Sequence, residues 1–336
     1  MAINRRDFLK VSAGSGLLLA SNVSLANAAP KFLSHDAVGI LYDATLCIGC
    51  KACMVNCKKY NSMPGGALEN KYGDIPYEYN TPDKIYDAPD DLSGKTLNII
   101  KAYTNGTAEN KDQAEDGFSF VKNHCLHCVN PACASVCPVA ALVKDPVTGV
   151  VSYDAGKCIG CRYCQLACPF NIPKFEWDKA SPKIVKCQLC HHRYAEGKYA
   201  ACCEFCPTGA SVFGKVTDLQ EEAKKRLTLT PGTEYDYPLQ RVDSGKTFSR
   251  KVPQYTDHIY GLTEAGGSQY LLMAGVPFDK LGFNPRITDS AYPDLTWKYI
   301  KKVPILIGTL LVAGTLTHLV TGRDNDKKSE INISNS

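Results

Sequence analysis

The residue type that stands out in this chain is cysteine: 17 among 336 residues, and all but one fall into four groups. The first group is Cys47-x2-Cys50-x2-Cys53-x3-Cys57, and the second is Cys125-x2-Cys128-x4-Cys133-x3-Cys137-Pro138. The third is Cys158-x2-Cys161-x2-Cys164-x3-Cys168-Pro169, and the fourth is Cys187-x2-Cys190-x11-Cys202-x3-Cys206-Pro207. Thiolates at such short intervals are soft metal ligands. Three on one tight loop can cap one face of an iron–sulfur cubane. The last cysteine, three residues on, is expected at the start of a helix that points away. A proline directly after it suits the first turn of that helix, where no N–H partner is needed. Three groups have that proline; the first has Lys58 instead.

Groups one and three match the bacterial ferredoxin run C-x2-C-x2-C-x3-C, in which the fourth cysteine ligates the other cluster of a pair. Four [4Fe–4S] clusters are therefore expected. Structural zinc also uses C-x2-C pairs, but a four-coordinate site gains nothing from the longer run. Disulfides fit poorly, because 17 is odd and cysteines two or three apart pair with strain. Cys187-Gln188-Leu189-Cys190-His191 spells the c-type haem attachment signature. Taking those two thiols for haem would strand Cys202 and Cys206-Pro207, so no haem is expected. Cys203 is left over. It could replace Cys202 as a ligand, but the x3 step before the last cysteine recurs in every other group and favours Cys202.

The cysteine loops need elements to hold them. The segment 61–116 is rich in Gly, Pro, Asp, Asn and Tyr and reads as an insertion with little helix and one strand over Thr96–Thr104. Val143, Val150, Val151 and Tyr153 flank Asp145-Pro146 and Thr148-Gly149, the signature of a β-hairpin between groups two and three. A short strand is expected over Ser211–Gly214. A helix follows over Asp218–Leu227, with Asp218 as N-cap. The cysteine-free stretch from Thr230 to Pro293 has many turns and scattered aromatics, and reads as an ordered extension over 216–300 that wraps the cysteine domain or meets a partner.

Both ends carry signals. Arg5-Arg6-Asp7-Phe8-Leu9-Lys10, a weakly apolar run from Val11 to Leu25, and Ala26-Asn27-Ala28 read as a twin-arginine signal peptide over residues 1–28. That pathway carries proteins already folded around their cofactors, so a periplasmic destination does not here argue for disulfides. Val303 to Val320 is apolar apart from threonines and His318; at 1.5 Å per residue it spans roughly 27 Å, enough to cross a bilayer. A transmembrane helix over 303–320 and a polar tail over 321–336 are expected. The exported N-terminal domain puts that tail in the cytoplasm. The competing reading is a buried helix of a soluble core.

The motifs resemble the iron–sulfur subunits that accompany molybdopterin oxidoreductases and membrane-bound hydrogenases. The resemblance covers Val38 to Lys215. It rests on Lys186-Cys187-Gln188-Leu189-Cys190-His191-His192-Arg193 with Cys206-Pro207-Thr208-Gly209-Ala210, on Asn123-His124-Cys125-Leu126-His127-Cys128, and on Gly160-Cys161-Arg162-Tyr163-Cys164. The signal, the C-terminal run, Gly232–Pro238 and Gly275-Val276-Pro277 further resemble the ferredoxin-type subunits of uptake [NiFe] hydrogenases. The resemblance implies an α+β fold of two interlocked ferredoxin-like modules over 38–215. It pairs group one with group four and group two with group three. One cluster then takes Cys47, Cys50, Cys53 and Cys206, and another takes Cys187, Cys190, Cys202 and Cys57. A third takes Cys125, Cys128, Cys133 and Cys168, and the last takes Cys158, Cys161, Cys164 and Cys137. Spacing alone leaves the pairing of one with two open.

Basic and acidic residues nearly balance, 38 against 34, with no basic stripe, so a nucleic-acid partner is not expected. No phosphate-binding glycine loop, nucleophile–base pair or flavin motif supplies a substrate site. The expected function is electron relay without catalysis, on the periplasmic face of the inner membrane. The resemblance implies as partners a [NiFe] hydrogenase and an integral membrane quinone-reducing subunit. The alternative is the same relay serving a molybdenum enzyme. A zinc-bound scaffold is a third reading, to be decided by metal analysis.

Overall fold

The computed structural model describes residues 32–61, 91–177 and 182–333. The expected signal peptide, and residues 62–90 of the expected insertion, lie outside the described residues. The described residues up to Pro293 form one compact unit, and those from Asp294 onward belong to a second.

The first unit is a mixture of short strands and short helices around cysteine loops. Strand β1 (Val38–Asp43) leads into group one and helix α1 (Ala52–Tyr60). Strands β2 (Ile99–Thr104), β3 (Asn110–Lys111) and β4 (Gly117–Asn123) form a sheet in the order β2-β4-β3. The strand expected over Thr96–Thr104 is β2. Helix α2 (Ala132–Ser135) lies in group two, followed by the antiparallel hairpin β5 (Leu142–Lys144) and β6 (Val151–Tyr153) at the expected place. Helix α3 (Tyr163–Ala167) lies in group three, and β7 (Lys174–Phe175) pairs with β8 (Ile184–Val185). Helix α4 (Ala201–Glu204) lies in group four, before β9 (Ser211–Lys215) and helix α5 (Val216–Thr228). The hairpin β10 (Glu234–Pro238) and β11 (Thr247–Lys251), then β12 (Tyr270–Met273), complete the unit.

The core sits on a three-stranded sheet in which β1 is central, antiparallel to β9 and parallel to β12. Ile40 stands opposite both Phe213 and Tyr270. All of β12, and β1 as far as Tyr42, are apolar, as strands covered on both faces are. The extension is therefore more than a wrapper: its strand β12 is fully buried and completes the sheet that carries group one. Tyr42 and Tyr270 reach out of this sheet and donate their hydroxyls to the carbonyls of Phe120 and Lys122, each at 2.8 Å, tying β4 to it.

Helix α5 closes the other face. Val216, Leu219, Ala223 and Arg226 recur at helical spacing and are buried. Arg226 is fully enclosed, paired with Asp43 of β1 at 3.0 Å and with Glu222 at 2.8 Å, and Tyr255 donates to the same Asp43 carboxylate at 2.7 Å. The helix begins earlier than expected. Lys215 is the N-cap, extended and without a side-chain cap, and Asp218 lies in the first turn, where its charge still faces the positive end of the helix dipole.

Helix α6 (Tyr292–Ile300), which begins two residues before the second unit, is followed by α7 (Val303–Ile333). Tyr292 to His318 is long and apolar enough to cross a membrane, and none of it is buried within the protein. Helical backbone continues past Val320, where the sequence suggested the start of a polar tail.

Candidate iron–sulfur cluster sites

Each cysteine group folds as a loop that enters a short helix. In the first, Gly49 (φ 70°) and Lys51 (φ 59°) take left-handed backbone before α1. In the third, Gly160 (φ 71°) and Arg162 (φ 64°) do the same before α3. The repeated Cys-Ile-Gly-Cys thus makes the same tight turn twice, with glycine at a conformation that costs other residues.

The position of the last cysteine corrects the expectation. Helices α1, α2, α3 and α4 contain the third cysteines: Cys53, Cys133, Cys164 and Cys202. Cys137, Cys168 and Cys206 lie at or just past the C-terminal end of their helices, not at the start of new ones. The proline behind each explains why, since a residue before proline is driven out of helical backbone. Cys168, the C-cap of α3, has φ −76° and ψ 114°. Group one has Lys58 in that place, and α1 accordingly runs on through Cys57 to Tyr60.

Helix α1 packs on α4, and α2 packs on α3. A recess of about 310 Å³ is lined by Cys47, Cys50, Cys53 and Cys206 together with Tyr42, Ile48 and Ile100. A second of about 310 Å³ is lined by Cys158, Cys161, Cys164 and Cys137 with Leu142, Tyr153 and Ile184. Cys57 lies among Cys190, Cys187 and Cys202, close enough for each thiolate to disfavour the next. Cys128 lies likewise among Cys168, Cys125 and Cys133. Three thiols of one group thus meet the last thiol of another, one with four and two with three. Among the described residues, no three His, Cys, Asp or Glu side chains lie close enough to share a single metal ion; the thiols surround a volume instead.

The four sets also neighbour one another in series. Cys164 of the third lies near Cys133 of the second, Cys125 of the second near Cys187 of the fourth, and Cys202 of the fourth near Cys53 of the first. Among the cysteines, only Cys50 and Cys161 are exposed, and they stand in the first and last sets of this series.

The surroundings suit anionic sulfur. Backbone N–H groups of Gly49, Leu189 and Ala141 donate to the sulfurs of Cys47, Cys187 and Cys137 at 3.4, 3.3 and 3.2 Å. Burial pushes the thiols up, Cys133 to about 12 and Cys164 and Cys168 to about 11, so a bound cluster would have to supply the positive charge that holds them as thiolates. Cys202 differs. A hydrogen bond from Cys203 and, less strongly, the Lys122 ammonium draw it down, while burial pushes Cys203 up. It is Cys202 that neighbours Cys57, Cys187 and Cys190.

Two contributing residues gain a role only from the fold: Asn61 carries no motif, and His127 lies in the Asn123–Cys128 run without a role that the run itself states. Asn61, at the C-cap of α1, donates its amide to Cys190 Sγ at 3.5 Å and to the Cys57 carbonyl at 2.8 Å. Val151 N–H donates to His127 Nδ1 at 3.0 Å, which leaves the ring proton on Nε2, buried beside Cys128 and without a partner among the described residues. A sulfur-rich cluster offers such an N–H an acceptor. The thiol sets, the N–H groups aimed at sulfur and this orphaned donor all fit bound iron–sulfur clusters.

Fold and sites together define a ferredoxin-type iron–sulfur electron-transfer subunit. Residues 117–216 match the family described as 4Fe-4S dicluster domain. The chain is 43% identical over 293 residues to the Hydrogenase-2 operon protein HybA of Escherichia coli O157:H7, covering 85% of each. It is 32% identical over 237 residues to the iron-sulfur subunit of the nitrate-inducible formate dehydrogenase of Escherichia coli, covering 70% of this chain and 71% of that one. A protein of Nitratidesulfovibrio vulgaris is 32% identical over 326 residues, 96% of this chain and 78% of its own. This chain belongs to the HybA family of iron–sulfur subunits.

Proposed function

We propose that the chain holds four [4Fe–4S] clusters and relays electrons from a periplasmic [NiFe] hydrogenase to an integral membrane subunit that reduces quinone. The observation that carries this reading is the series of four thiol sets with its two ends open to the surface. The ligand sets are Cys47, Cys50, Cys53 and Cys206; Cys187, Cys190, Cys202 and Cys57; Cys125, Cys128, Cys133 and Cys168; and Cys158, Cys161, Cys164 and Cys137. They make two interlocked modules, supported by the packing of α1 on α4 and of α2 on α3. The clusters supply one-electron exchange, and the chain supplies their spacing, their burial and the N–H groups that set their potentials.

Residues 1–28 direct export through the twin-arginine pathway, and the apolar helix from Val303 anchors the chain with its C-terminus in the cytoplasm. The exposed apolar side chains of that helix favour a membrane anchor over a core helix. The chain has no substrate site of its own. The formate dehydrogenase subunits among its relatives favour a second reading, in which the catalytic partner is a molybdenum enzyme. Purification of the intact membrane complex decides between them: a nickel-containing partner supports the first, and a molybdenum-containing one overturns it. Iron well below about 16 per chain in anaerobically prepared protein would count against four clusters. Replacing Arg5 and Arg6 by lysine is expected to retain the protein in the cytoplasm.

A further inference from the structure

Among the described residues two cations are fully buried, Lys122 and Arg226, and Lys122 has no carboxylate beside it; Lys186, 4% exposed, is held by the carbonyls of Val151 and Cys187 instead. Arg226 has Asp43 and Glu222, Arg193 has Glu204, and Lys111 has Asp112. The Lys122 side chain is 0% exposed, and its ammonium donates to Ser211 Oγ at 3.1 Å. Ser211 lines the recess of Cys47, Cys50, Cys53 and Cys206, and the thiols of Cys202, Cys203 and Cys53 are near enough to act on the ammonium electrostatically. Cys53 belongs to the first ligand set and Cys202 to the fourth, so this one ammonium stands at the junction of two sites. Its backbone is fixed from both sides, by pairing with Ile100 across β2–β4 and by the Tyr270 hydroxyl on its carbonyl.

Burying an ammonium without a counter-charge is strongly unfavourable. A cubane with four thiolates is anionic in both of its oxidation states, and more so when reduced. We propose that Lys122 is a shared counter-cation for the clusters of Cys47/Cys50/Cys53/Cys206 and Cys187/Cys190/Cys202/Cys57. It acts as a positioning residue that raises both potentials together and keeps the step between them small. The inference rests on the proposed ligand sets. A fixed positive charge favours the reduced, more negative state of each neighbouring cluster, and so moves its potential upward. Ser211 holds the ammonium at the junction, away from either cluster alone.

The test is a redox titration of the four clusters by low-temperature electron paramagnetic resonance, on the purified complex with K122M, K122R and S211A variants. In K122M two of the four potentials are expected to fall and the other two to stay; K122R restores the pair. Unmoved potentials in K122M, an equal shift of all four, or a K122R variant that behaves like K122M would overturn the proposal. If K122M does not load iron, S211A is read instead. It keeps the charge but frees it to turn toward the thiolates, so the same two potentials are expected to move, and no movement overturns the idea. A shortfall of iron in the unmodified protein would instead be a failure of the ligand sets.

Discussion

The half of the molecule around groups one and four and the half around groups two and three use the same loop for opposite surroundings. Cys47–Cys53 and Cys158–Cys164 turn with nearly the same backbone angles. The first loop lies against one face of the sheet β12-β1-β9, whose other face α5 covers, and Cys53, Cys57, Cys190 and Cys202 are buried while Cys50 stays exposed. The second is framed by the two-stranded β5–β6 and β7–β8, and its rim is the more apolar and open: Ile159 is 65% exposed, Leu166 83% and Trp177 68%, against 53% for Ile48 in the first loop. Local sequence makes the thiol cradle, while tertiary cover sets its dielectric. Because burial and hydrogen bonding to sulfur tune such clusters, the two halves are expected to differ in potential despite their common motif.

The largest effect expected is the loss of a whole site, and it tests whether the halves are built alike. C57A should abolish the cluster of Cys187, Cys190 and Cys202, not that of its own loop. C168A should abolish the cluster of Cys125, Cys128 and Cys133. Iron should fall by about four atoms per chain in each case, with one signal missing from the spectrum. Loss of the cluster belonging to the mutated loop would show that the fourth cysteines do not cross.

The next effect separates the halves. R226L leaves the Asp43 carboxylate buried without its partner, and breaking such a pair costs about 3–5 kcal/mol. Hydrogen exchange should quicken in β1, β9 and α5 while the β5–β6 hairpin keeps its protection. Equal loosening of both halves would mean that the sheet supports the whole unit. K58P gives group one the proline that the other groups have. Inside α1 it should cost about 3 kcal/mol and remove the last turn, and with it the hold of Asn61 on Cys190 Sγ. The potential that shifts should be that of the fourth set, across the interface from the mutation.

How much of this was legible in the sequence depends on whether the signal was local. The hairpin at Asp145–Gly149 and the strand ending at Thr104 announce themselves through turn residues and short-range pattern. Strand β12 does not, because its partner β1 is far away in the chain. Tyr270–Met273 is a continuous apolar run, readable as a buried strand, but nothing nearby says which edge it joins. The cysteines were legible because ligation requires their type and spacing. Lys122 and Asn61 were not, since an ordinary lysine or asparagine becomes notable only when its neighbours leave it buried beside the thiols; His127 stood in the Asn123–Cys128 run, but its unpartnered Nε2 did not show there. The direction of the helices failed for a local reason: proline was read as opening a helix when here it closes one.

The smallest effect lies at the open rim. The Arg162 guanidinium is layered over the rings of Phe175 and Trp177, 5.3 and 4.9 Å from their centroids, beside the recess of Cys158, Cys161 and Cys164. An exposed cation–π contact contributes about 0.5–1 kcal/mol. R162A should therefore lower stability by no more than that in the isolated chain, and Fe content should not change. Its counterpart Lys51 occupies the same left-handed position in the loop of group one. The informative measurement is the pair R162A and K51A, compared for unfolding midpoint and for electron transfer in the assembled complex. If the rim around Cys161 is a docking face, R162A should slow transfer while barely moving the midpoint. If it only covers a cluster, both variants should leave the rate unchanged.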